Sequence, residues 1–244
     1  MEKINVLGVA FDNVTSGEAV SAALAADNSA FVVTPNPEIV WLARENAELR
    51  EVISAAKLVL ADGIGIIYGA KILGTPLCGR VTGIDFAASV MERLAERDGS
   101  VYLFGAKPGV AETAGAALCE RFPGLRLVGT SDGYFKDGSA EEDAIIDAIN
   151  AAQPDLLLVC LGAPKQELWT FRNRARLSVP LIACLGGALD VWSGTVKRAP
   201  RGWQKLGLEW LYRLIKEPRR IGRMMSLPKF LFAVIGVRLR GKNG

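Results

Sequence analysis

Asp62 stands in the run LVLADGIGIIYG, Leu58 to Gly69, where an apolar stretch gives way to glycines. A carboxylate at the carboxyl end of a strand, where α/β proteins open their ligand crevice, is placed to take a proton from an attacking hydroxyl. The same position suits a helix N-cap, and residue type alone does not separate the two readings. The 244 residues contain no histidine. That absence removes Ser-His-Asp and Cys-His catalysis, histidine metal sites and imidazole acid–base chemistry together. Proton transfer is left to a carboxylate, Lys, Tyr or Cys.

Two loops could meet an anionic ligand. GAKPGVAET, Gly105 to Thr113, offers glycines and a helix start whose N–H groups could cradle a diphosphate, although glycines after strands also serve simply as turn formers. It lacks the lysine–hydroxyl ending of G-x-x-x-x-G-K-[ST], so an ATPase reading fails. GAPKQELW, Gly162 to Trp169, puts Lys165 and Gln166 at the head of a helix, within reach of a phosphate or sugar oxygen. Gly63, Gly65 and Gly69 do not fit G-x-G-x-x-G, and no acidic residue follows at a strand end about 20 residues on, which weakens a nicotinamide reading. No D-x-D occurs. A carboxylate-bound metal bridging a nucleotide diphosphate is therefore not expected, nor any other cofactor, and charge on such a leaving group falls to Arg, Lys and helix dipoles.

Cations are concentrated at one end. Lys197 to Gly244 holds 13 Lys and Arg against 2 acidic residues, whereas the preceding residues hold 16 against 24. Such a segment is drawn to phosphate-rich partners, including the anionic leaflet of a membrane. Arg213, Lys216, Arg220 and Arg223 would form one stripe if a helical path continued past Pro218. A solvated helix face is the plainer account of a charge run. Here Trp203, Trp210, Tyr212 and Phe230 are interleaved, which suits a membrane interface or a stacked ligand. The apolar run FLFAVIGV, Phe230 to Val237, is less than half of the roughly 20 residues that cross a bilayer, so no spanning segment is expected. The opening MEKINVLGVAFD does not read as a secretion signal.

The elements that must position these residues follow from periodicity. INVLGVAF, AFVVT, AKLVLAD, SVYLFGA, LRLVGT, DLLLVCLG and PLIACLGG read as strands, several apolar at consecutive positions as strands covered on both faces are. Helices are predicted over Pro37–Asn46, Gly63–Leu73, Gly83–Arg97, Gly109–Arg121, Glu141–Ala151 and Lys165–Ala175, with Asn36 capping the first. The alternation predicts an α/β fold, a Rossmann-like, mainly parallel sheet with helices on both faces. Residues 1–194 form the expected catalytic core and 195–244 a helical, basic C-terminal appendage. Cys78, Cys119, Cys160 and Cys184 form no C-x-x-C pair and read as reduced thiols.

TPNPEIV, LADGIGI, GRVTGIDF, GAPKQELW, GGALDVWSGTVKRAP and GLEWLYRLIKEPRR, taken in order over essentially the whole chain, resemble the WecG/TagA/CpsF glycosyltransferases. The resemblance implies transfer of a sugar from a UDP-sugar donor to a polyprenyl-diphosphate-linked sugar at the cytoplasmic face of the membrane, without a metal. In the branch that makes the teichoic-acid linkage unit, the donor is UDP-N-acetylmannosamine. The acceptor there is N-acetylglucosaminyl-diphospho-undecaprenol, joined through a β-1,4 bond with inversion. It implies Asp62 as general base, Thr34 and Asn36 lining the same pocket, Arg80 and Gln166 near donor or acceptor, and Arg213, Arg220 and Arg223 holding the diphosphate. It also implies self-association, a peripheral place on the inner membrane face, and an appendage that binds membrane and completes the site. Nucleic acid is not among the expected partners. UDP-N-acetylmannosaminuronate or UDP-glucose are alternative donors, though a uronate should want a further cation. A non-catalytic membrane- or polyanion-binding α/β module is the alternative from another class, and it leaves the polar loops at five strand ends unexplained.

Overall fold

A computed structural model describes residues 1–25, 29–218 and 221–241, apart from the side chains of Lys205 and Arg223. Along the chain run β1 (Lys3–Val6), β2 (Val9–Asp12), α1 (Ser16–Leu24), β3 (Ala30–Val33), α2 (Pro37–Glu45), α3 (Ala47–Ser54), β4 (Leu58–Val59) and α4 (Ile64–Leu73). Then follow α5 (Gly83–Ala95), β5 (Ser100–Gly105), α6 (Val110–Arg121), β6 (Arg126–Ser131), α7 (Ala140–Ala152), β7 (Leu156–Cys160), α8 (Lys165–Asn173), β8 (Leu181–Cys184) and α9 (Ala188–Trp192). The chain ends in α10 (Arg201–Lys205), α11 (Glu209–Lys216), α12 (Ile221–Met224) and α13 (Ser226–Arg240). Two compact units result: Met1–Ser16, Thr34–Thr82 and Arg198–Gly244 make the first, Gly17–Val33 and Gly83–Lys197 the second.

The second unit is the Rossmann-like part. Five parallel strands lie in the order β3-β8-β7-β5-β6, linked by helical crossovers. Every residue of β5, β7 and β8 is buried. Their consecutive apolar residues are thus the mark of strands covered on both faces. β6, at the end of that order, is only partly covered and carries Gly129, Thr130 and Ser131. From β5 the chain crosses outward to β6 and returns to the other side of β5 as β7, making a topological switch point at the ends of β5 and β7.

The first unit departs from the expected pattern at its start. INVLGVAF is not one strand but a hairpin, with Lys3 opposite Asp12 and Val6 opposite Val9. Leu7 and Gly8 both take positive φ, 54° and 93°, the twist a two-residue hairpin turn needs. The buried Asp12 carboxylate then accepts from Val59 N–H at 2.8 Å and meets Lys3 Nζ at 3.7 Å, tying β4 to the hairpin. α2 begins with Pro37 and is capped by Asn36, whose Oδ1 accepts from Ile39 N–H at 3.0 Å.

α13 packs on α2 and α4 through Phe230 and Val234, both buried. Gly69 makes that approach close: a β-carbon there would lie 2.8 Å from the Phe230 ring. Burying such a ring stabilises by about 1.5–3 kcal/mol. Trp41 of α2 has Arg44 and Lys229 over its ring at 5.2 and 5.7 Å, and Arg238 donates to Leu73 O at 3.2 Å. Leu231, Phe232, Ile235, Val237 and Leu239 of α13 are exposed. No helix among the described residues is long and apolar enough to cross a membrane.

Candidate functional site

Thr34, Asn36, Asp62 and Arg80 fall within the first unit, as does Arg213 of the appendage. Backbone hydrogen bonds stitch their loops together. Asp62 N–H donates to Pro35 O at 3.3 Å, and Val81 N–H donates to Ala61 O at 3.1 Å. Gly63 lies against the Asn36 and Pro37 side chains. The segments TPNPE, LADG and GRVT therefore meet, although 26 residues separate Asn36 from Asp62 in the chain.

Asp62 is not the cap of the helix it precedes. α4 starts at Ile64 with Gly63 in the cap position, and no side chain caps it. The N-cap reading, equal to the general-base reading on sequence alone, does not describe this residue. Asp62 as a residue is half-buried and has a further interaction beside its backbone bond to Pro35. Asn36 does act as a cap, so what its amide can offer a ligand is the Nδ2 donor. Thr34 is buried, directly after β3.

Arg80 points to the appendage. Its Nη1 lies 3.3 Å from Glu209 Oε2, and its Nη2 donates to Gln204 O at 3.4 Å. Arg198 Nε donates to the other Glu209 oxygen at 3.5 Å. Gly207 seats the appendage on the start of α4. With φ at 70°, a β-carbon there would stand 2.8 Å from Ile64 Cβ, two residues after Asp62. Arg213 lies one turn beyond Glu209 on α11, hence on the same face. Trp203 and Tyr212 meet edge to face, with centroids 5.8 Å apart, and fasten α10 to α11.

The expected basic stripe does not form as a single helix. α11 stops at Lys216, before Pro218, and α12 begins only at Ile221. Proline has no N–H for a helical ladder and biases its predecessor away from helix, so Arg213 and Arg223 belong to different helices. Arg220 lies outside the described residues, as does the Arg223 side chain.

Gln166 belongs to the second unit, at the start of α8. It is 2% exposed, its Oε1 accepts from Gly186 N–H at 2.8 Å, and its Nε2 donates to Glu167 Oε1 at 2.8 Å. Beside it the switch-point loops converge: Ala106 N–H donates to Cys160 O at 3.2 Å and Gly133 N–H to Ala106 O at 2.9 Å. Lys165 Nζ sits 4.0 Å from the Phe135 ring centroid and donates to Gly133 O at 3.4 Å. The Glu167 carboxyl is buried, its Oε2 has no hydrogen-bond partner among the described residues, and desolvation raises its pKa. Cys160 and Cys184 are buried free thiols, the first pushed up to about 12 and the second well above its ordinary value, both chiefly by desolvation.

Gly207, Arg198, Glu209 and Glu167 were not singled out by the sequence. A signal existed for all four, because they lie in the blocks GAPKQELW, VKRAP and GLEW that carry the family resemblance.

The profile of the glycosyl transferase WecG/TagA/CpsF family matches residues 4–244. A Bacillus spizizenii protein named N-acetylglucosaminyldiphosphoundecaprenol N-acetyl-beta-D-mannosaminyltransferase is 39% identical over 210 residues, 86% of this chain and 80% of its own length. A Staphylococcus aureus protein of the same name, from strain MW2, is 33% identical over 246 residues, covering 99% of this chain and 95% of its own.

Proposed function

This chain belongs to the WecG/TagA/CpsF family of glycosyltransferases, and from that premise we propose that it moves N-acetyl-D-mannosamine from UDP-N-acetylmannosamine to N-acetylglucosaminyl-diphospho-undecaprenol. The bond formed is β-1,4, with inversion. The observation that carries this reading is the meeting of the Asp62, Asn36 and Arg80 loops beneath an appendage rich in arginine.

Inversion needs a base on one side of the donor sugar and a stabilised leaving group on the other. Asp62 removes the proton from the acceptor hydroxyl as that oxygen attacks the anomeric carbon. The bond to UDP breaks as the new bond forms, and its electron pair leaves on the diphosphate. Arg213, with Arg220 and Arg223, neutralises that charge, as guanidinium groups do for phosphate without a metal. Thr34, Asn36 and Arg80 orient the substrates. Gln166, buried against Gly186, acts on substrate by fixing the backbone there.

The lipid-linked acceptor calls for a membrane surface. The exposed apolar residues of α13, with Lys229, Arg238 and Arg240 on the same helix, suit an element lying in the interface of an anionic leaflet. These features support a peripheral position on the inner membrane face. The test is Asp62→Asn, which keeps size and removes the base. Transfer falls by about 10²–10⁴-fold, the usual worth of a general base, while UDP binding is retained. Undiminished turnover would overturn the assignment.

A further inference from the structure

Glu209 opens α11 between two guanidiniums that come from separate parts of the chain, Arg80 after α4 and Arg198 before α10. Each carboxylate oxygen serves a different arginine: Oε2 faces Arg80 Nη1 at 3.3 Å and Oε1 faces Arg198 Nε at 3.5 Å. All three side chains are mostly shielded, with relative exposures of 21% for Arg80, 24% for Arg198 and 16% for Glu209. Arg80 is held further by the Gln204 carbonyl.

Two arginines sharing the oxygens of one small anion is the geometry by which guanidinium groups hold phosphate as well as carboxylate. An internal carboxylate in that position therefore marks a seat whose chemistry fits a phosphate group. We propose that Arg80 and Arg198 form a diphosphate seat and that Glu209 fills it until the ligand arrives. Arg198 is the new member of the site, and Glu209 is its place-holder. Arg213, one turn from Glu209 on the same face of α11, adds a third cation at the rim. The proposal rests on the transfer reading, which supplies the diphosphate.

The exchange follows from charge. A diphosphate carries more negative charge and more acceptor oxygens than one carboxylate, so both arginines interact with it more strongly. Before ligand arrives the carboxylate offsets the repulsion between the two like charges. Once ligand is seated, the Glu209 charge beside it is repulsive. A carboxylate that only fastened the appendage would behave oppositely, since its removal would loosen Arg80 and weaken binding.

The experiment is titration calorimetry of the full chain with UDP and, separately, with inorganic pyrophosphate, for wild type, Arg198→Gln and Glu209→Gln, each checked for folding by circular dichroism. Arg198→Gln weakens both ligands by at least tenfold. Glu209→Gln tightens both by about threefold or more, with a steeper dependence on salt because a competing anion is gone. If Arg198→Gln fails to fold, Arg198→Lys is read in its place and weakens both ligands severalfold. Weaker or unchanged binding in Glu209→Gln overturns the place-holder, and unchanged binding in the Arg198 variant overturns the seat. UDP binding equal in all proteins sinks the seat and leaves the transfer reading standing. The predicted shifts with pyrophosphate, in a wild type that ignores UDP, keep the seat and sink that reading. A wild type that binds neither ligand overturns the seat.

Discussion

Replacing Gly207 by alanine tests whether the appendage must seat on the Asp62 loop. Two costs follow from the geometry. An L-residue at φ 70° pays the left-handed penalty of about 1–2 kcal/mol. The new β-carbon would stand 2.8 Å from Ile64 Cβ and from its Cγ1. Both β-carbons are fixed to backbone, so no rotamer change relieves the contact, and overpacking of this kind costs about 1–3 kcal/mol. The sum of about 2–5 kcal/mol shifts the seated–unseated equilibrium by roughly 30-fold to several thousand-fold. α13 is anchored independently by Phe230 and Val234, so the strain is released around residues 206–209 and the fold survives. The assay is sugar transfer at saturating donor, with thermal unfolding as the control. Turnover drops at least tenfold with a small change in melting temperature. Ile64→Ala in the same chain removes Cγ1 and Cγ2 from the clash and restores part of the rate, a coupling that independent sites would not show. Full turnover in Gly207→Ala, or no rescue by the second change, would refute the reasoning.

Other outcomes follow from burial and charge. Phe232→Glu, at a side chain 75% exposed, leaves folding unchanged and weakens sedimentation with anionic vesicles by about ten- to hundredfold, the worth of one buried phenyl ring; unchanged sedimentation would take α13 out of the interface. Burial raises the folded pKa of Glu167 above its ordinary 4.5, so the folded state keeps a proton that the unfolded chain releases. The associated stability is full below pH 4.5 and is lost as pH rises through the folded value. Glu167→Gln, measured by urea unfolding, therefore gains on wild type as pH rises from 4.5 to neutrality, and parallel curves would contradict this. A thiol reagent labels exposed Cys78 first and half-buried Cys119 more slowly, whereas Cys160 and Cys184 react only on unfolding; fast labelling of four thiols in the native protein would refute that order.

Much of the second unit was legible because its strands are buried on both faces and so read as unbroken apolar runs, SVYLFG and LLLVC above all. The Asn36 cap with Pro37 after it was equally readable, since both residues act on the backbone beside them. The hairpin at Lys3–Asp12 was missed because its turn is Leu-Gly rather than Asn-Gly, and an apolar residue gave no sign of a positive φ. The break between α11 and α12 was signalled by Pro218, the condition on which a single basic stripe depended. Asp62 was legible as a carboxylate at a strand end, whereas its rejection as a cap needed the Gly63 backbone. Contacts such as Gly207 on Ile64, or Glu209 on Arg80, join residues more than a hundred positions apart. No local pattern encodes those pairings.

The proposed reaction is sugar transfer with Asp62 as base. Its most direct measurement is the appearance of labelled lipid-linked disaccharide when the protein is given N-acetylglucosaminyl-diphospho-lipid in anionic vesicles, with labelled UDP-N-acetylmannosamine, UDP-N-acetylmannosaminuronate or UDP-glucose in turn and a chelator present. The expected result is product from UDP-N-acetylmannosamine, insensitivity to the chelator, and loss of product in Asp62→Asn. Product from another donor alone, or full product from Asp62→Asn, would contradict it.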